Sequence, residues 1–159
     1  PTVLLLLFIL FSEKGKNFMD KLNPVWLYFF HIVRLPVEWA LYKLFLFGKV
    51  PILMTFAGRN FDIFAGLTAP LIAFLVYKNA LPKWILWVWN GICLCLLVNI
   101  VISAALSAPS PLQRLSFEQP NVAILYFPFN LLPTFIVPLV LFAHLASLRF
   151  LFKTKTNLY

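Results

Sequence analysis

The apolar residues of this chain fall in blocks of membrane-spanning length, and that patterning most constrains what it can fold into. Trp84 to Leu106 runs without a charged residue. A block this long and continuous reads as a helix, because a backbone in lipid must satisfy its own polar groups. Charged residues make up 11% of the 159 residues and mean hydropathy is +0.92. A soluble domain carries about a quarter charged residues, so the reading is an all-α polytopic membrane protein. Nucleic-acid binding is excluded on the same ground, despite a net charge of +8.

Residues 1–159 read as one transmembrane helical bundle kinked by prolines, with four complete transmembrane helices and the end of a fifth. The expected spans are 1–11 (the truncated helix), 24–47, 61–77, 84–106 and 122–148. The first block is too short to cross, since about 20 apolar residues are needed, and it lacks the basic flank of a signal peptide. It reads as the end of a helix that begins before Pro1. Ser12 to Asn23 reads as a polar loop. Pro24 suits a first helical turn, whereas Pro36 and Pro70 fall mid-span and should kink it. Ala65, Ala69 and Ala73 form a small-residue stripe that allows close packing. Pro128, Pro133 and Pro138 imply that the last span is bent or partly broken.

Orientation follows from the loops. Lys14, Lys16, Lys21, Lys78, Lys83, Arg149, Lys153 and Lys155 collect on one side, against Lys49, Arg59 and Arg114 on the other. The positive-inside rule puts the richer side, with the C-terminus, in the cytoplasm.

Ionisable residues inside such spans are expensive and mark functional sites. His31, Arg34 and Glu38 are spaced three and four apart, which places them on one helix face. At about 1.5 Å per residue, His31, Asn90 and His144 share a depth. A deeper layer collects Arg34, Glu38, Thr68, Cys95, Asn99 and Thr134. The expected polar cavity is therefore lined by His31, Arg34, Glu38, Asn90, Asn99, Thr134 and His144.

Each of these residues also has a plainer reading. Arg34 and Glu38, at i and i+4, could be an internal ion pair that fixes packing. The histidines could hydrogen-bond within the bundle. His31 and His144 could instead ligate a b-type haem axially, with Arg34 or Arg149 near the propionates; no glycine-rich groove for the macrocycle is evident. A metal site lacks ligands. Cys93 and Cys95 diverge on a helix and suit neither a disulfide nor a metal pair. Ser103 and Ser107 have no histidine at their depth, and no hydrolase or zinc-protease motif occurs, so the chain reads as non-enzymatic. The turn Gly58 to Asp62 reads as a helix cap.

Three segments, Arg34-Leu-Pro-Val-Glu38, Leu53-Met-Thr-Phe-Ala-Gly-Arg-Asn-Phe-Asp-Ile63 and His144-Leu-Ala-Ser-Leu-Arg149, resemble a group of small uncharacterised bacterial membrane proteins. The resemblance spans nearly all of Pro24 to Arg149. No activity is assigned to that group, so it brings no residue roles. It implies a bacterial inner membrane and a further helix before Pro1.

The functional expectation is a protein that binds a lipid-like or other small ligand in an intramembrane polar cavity, without a cofactor. A single-haem electron-transfer subunit and an accessory subunit of a larger membrane complex are the alternatives. Membrane lipids, and a membrane-protein partner or a second copy, are the expected partners.

Overall fold

The longest element of the computed structural model is α6, Lys83–Ser107, which packs along α7, Val137–Lys153. The structure describes residues 2–153, so Lys155 lies outside the described residues. Among them every regular element is helical. Pro82 starts α6 from an extended conformation, and Ala108, extended before Pro109, ends it. One π-helical turn, Leu132–Ile136, leads into α7. Pro133 has no amide hydrogen to donate, and the ladder widens around it.

The expectation of four complete transmembrane helices and part of a fifth is corrected. Among the described residues two helices are long and apolar enough to cross a membrane, Lys83–Ser107 and Leu132–Lys153. The segment 24–47 is not one helix but three pieces: α3 (Pro24–Phe29), a 3₁₀ turn (Phe30–Val33) and α4 (Arg34–Leu46). Pro36 cannot donate to the Ile32 carbonyl, and the tighter turn sits just before it. The third expected span, α5 (Asp62–Tyr77), has 16 residues. That is about 24 Å, short of a hydrocarbon core of about 30 Å. From 122 to 131 the chain holds one 3₁₀ turn, Ala123–Leu125, and no α-helix.

At the N-terminus α1 (Thr2–Phe11) turns directly into α2 (Glu13–Asp20). The expected polar loop is thus mostly helix. Ser12 caps it, its hydroxyl accepting the Gly15 amide at 3.0 Å. Gly15 is needed there, since a Cβ would lie 2.1 Å from the Ile9 carbonyl oxygen. Asp20 then pins α2 to α7. It accepts from Arg149 at 2.8 and 3.0 Å and also pairs with Lys153. The hydrogen bond from Arg149, with that from Lys153, holds the Asp20 carboxyl down at about 2.

Small residues set how closely α5 packs. Ala65, Ala69 and Ala73 are buried, and α5 packs against both α3 and α4. Gly66 lies against Leu35, where a Cβ would meet the side chain at 2.9 Å and the backbone nitrogen at 3.2 Å. Outward faces stay apolar: Leu67, Leu71 and Phe74 on α5 and Ile92, Val98 and Ile102 on α6 are exposed.

Candidate functional site

Arg34 stands where the 3₁₀ turn becomes α4, and its guanidinium joins three other segments. Nη1 pairs with Asp62 Oδ1 in the first turn of α5 and donates to the Cys93 carbonyl at 3.3 Å. Nη2 donates to His144 Nε2 at 2.8 Å. Both members of the ion pair are buried, with side chains 2% and 9% exposed. The expected Arg34–Glu38 pair is therefore corrected: Arg34 pairs across the bundle with Asp62. The close approach at Gly66, one turn after Asp62, brings that carboxylate within reach.

From His144 the hydrogen bonds continue in one sense. Arginine can only donate, so His144 Nε2 accepts and its Nδ1–H donates to Asn90 Oδ1 at 3.0 Å. Asn90 Nδ2 donates in turn to the Leu86 carbonyl at 3.0 Å and the Tyr28 hydroxyl at 3.2 Å. These bonds assign the amide orientation and the neutral Nδ1–H tautomer from the network. His31 lies face to face on His144, with ring centroids 4.0 Å apart, and Trp89 meets it edge-on at 5.4 Å. The Trp89 indole donates to Thr68 Oγ1 at 3.0 Å. His31, Asn90, His144 and Tyr28 are fully buried.

Glu38, one turn beyond Arg34, is 1% exposed. Asn60 Nδ2 donates to its Oε1 and to the Met54 carbonyl at 3.1 Å. Asn60 Oδ1 accepts the Asp62 amide at 3.2 Å. The backbone amide of Phe56 lies nearby, but Glu38 Oε2 has no hydrogen-bond partner. Arg34, Glu38 and Asp62 border a cavity of about 250 Å³ between α4, α6 and the entry to α7. Its remaining wall is apolar, including Leu97, Ile100, Ala104, Ile136 and Val140. Val101, Ala105 and Pro133 are exposed at its rim.

Of the residues expected in one polar cavity, His31, Arg34, Asn90 and His144 come together, and Glu38 lies beside them on the cavity wall. Asn99 and Thr134 do not join them. Asn99 is exposed and donates to the Arg59 carbonyl at 3.2 Å, while the exposed Thr134 returns its hydroxyl to the Asn130 carbonyl at 2.7 Å. Asp62, Asn60, Tyr28 and Trp89 belong to the arrangement and were not expected there. Asp62 carried a readable signal, as the sole acid between Glu38 and Glu118 in a chain with five.

The stacked rings leave no gap for a macrocycle between His31 and His144, and both nitrogens of His144 are engaged. Among the described residues no group of three or more His, Cys, Asp or Glu could hold a metal ion. What the arrangement offers chemically is a rigid, directed hydrogen-bond chain beside an apolar cavity. A family model for a domain of unknown function, DUF8737, matches residues 1–152. The chain belongs to that family. No curated protein and no solved structure matches it.

Proposed function

We propose that this chain is a membrane-associated, non-enzymatic protein that holds a small, largely apolar ligand in the cavity between α4, α6 and α7. The cavity itself carries the reading: about 250 Å³, apolar along most of its wall and buried at its charged end. Ligand sites typically combine an apolar wall with a few fixed polar groups. The π-helical turn at Leu132–Ile136 lies on the same wall, a feature frequent at functional sites.

Membrane association is supported by the two long apolar helices. Only 28% and 39% of their most apolar windows is buried inside the protein, so most of that surface faces outward. In a bacterial inner membrane these two helices would cross as an antiparallel pair. Lys83 and Lys153, at the start of one and the end of the other, would then lie on the cytoplasmic side with the C-terminus.

Gentle extraction followed by native mass spectrometry tests the ligand. The expected result is a bound small molecule that is lost when Ala104→Trp fills the cavity. A ligand-free wild-type protein would overturn the reading. Release of the protein from membranes by alkaline carbonate would overturn its membrane part.

A further inference from the structure

We propose that the cavity selects a ligand with a protonated primary amine at one end, seated on Glu38. This deepens, and rests on, the cavity reading above. Three charged side chains border the buried end: Arg34, Asp62 and Glu38. Arg34 and Asp62 neutralise one another through their direct pair. Arg34 is further committed to the Cys93 carbonyl and to His144, so three of its five N–H groups are bonded. Glu38 has no cation within ion-pair distance among the described residues. The donors around it are neutral amides, Asn60 on Oε1 and the Phe56 backbone amide nearby, and Oε2 has no hydrogen-bond partner.

The uncompensated group at this end is thus a carboxylate oxygen that can only accept when ionised. A buried acceptor without a donor is costly, and a charge-assisted donor offsets that cost best. An anionic head would instead meet two carboxylates beside an arginine already paired with one of them. The ligand's other end is set by the wall: Leu97, Ile100, Ala104, Ile136 and Val140 accept hydrocarbon and offer no polar partner from their side chains. At a liquid share of about 30 Å³ per water-sized group, the cavity takes about eight such groups. An eight-carbon alkylamine is therefore the natural probe, and the exposed rim at Val101, Ala105 and Pro133 lets a longer tail continue outward.

The test uses the whole chain in zwitterionic phosphatidylcholine nanodiscs at neutral pH, with empty nanodiscs as control. Saturable binding of n-octylamine, n-octanol and octanoate is compared. The amine, with an ordinary pKa near that of lysine, is protonated there. The expected result is octylamine tighter than octanol by about ten- to a hundredfold, the size of one charge-assisted hydrogen bond, with octanoate weakest. Glu38→Gln keeps the side-chain shape and is expected to abolish the amine preference, bringing octylamine to within about twofold of octanol. Equal binding of amine and alcohol, or a preference for octanoate, overturns the amine assignment and leaves the apolar cavity site standing. Failure of all three to bind saturably removes the cavity site and this inference together. The ranking of the three probes on wild-type protein decides the matter even if Glu38→Gln does not fold.

Discussion

Arg34 pairs with Asp62, 28 residues along the chain, and not with Glu38 one turn away on its own helix. That choice ties the broken 24–46 segment to α5 and frees Glu38 to face the cavity. Removing one partner strands a buried charge, which typically costs about 3–5 kcal/mol. Arg34→Met alone and Asp62→Leu alone are each expected to lower stability by that order in denaturant unfolding. The double variant should recover most of the loss, because neither charge then remains. A double variant no better than the worse single one would show that the pair is not coupled.

Two glycines should respond in opposite directions to alanine. At Gly66 a Cβ meets Leu35, including its backbone nitrogen at 3.2 Å, so Gly66→Ala should cost about 1–3 kcal/mol by overpacking. At Gly91, on the exposed side of α6, nothing lies within 4 Å of the added carbon. Gly91→Ala should therefore stabilise by about 0.5–1 kcal/mol through helix propensity. Thermal melts of the two variants side by side check both signs.

The hydrogen-bond chain assigns His144 as the neutral Nδ1–H tautomer, donating to Asn90 and accepting from Arg34. Two-bond ¹H–¹⁵N correlation spectra of labelled protein should show that tautomer. An Nε2–H signal would contradict the direction of the whole chain. Asn90→Ala leaves the His144 Nδ1–H and the Tyr28 hydroxyl without this partner and is expected to cost about 1–3 kcal/mol.

The clamp between α2 and α7 predicts a defined acid dependence. Bonding to Arg149, then to Lys153, depresses the Asp20 carboxyl from 3.8 to about 2. A depressed carboxyl contributes stability above its unfolded value and loses it as the pH falls through the folded one. The gap in melting temperature between wild type and Asp20→Asn should thus be full above about pH 4 and close between 3.8 and about 2. Added salt should narrow it, because these side chains are partly exposed. A gap that persists at pH 2 would show that Asp20 acts by shape rather than charge.

By itself the amino-acid order determined the helical class, the basic ends, the first-turn position of Pro24, and matching positions along their helices for His31, Asn90 and His144. Those are local or depth-dependent properties: propensity, capping chemistry and distance along a helix from a charged end. Only the tertiary structure decided which partners those residues take. Arg34 meets Asp62 because Gly66 lets α5 approach α4, and Asn99 and Thr134 turn away because azimuth around a helix axis is set by packing. Helix continuity was likewise decided in three dimensions. Hydropathy over 24–47 and 122–148 is blind to a backbone that breaks at Phe30–Val33, ahead of Pro36, or stays irregular until Leu132, since a sum over side-chain polarity carries no term for a missing amide hydrogen.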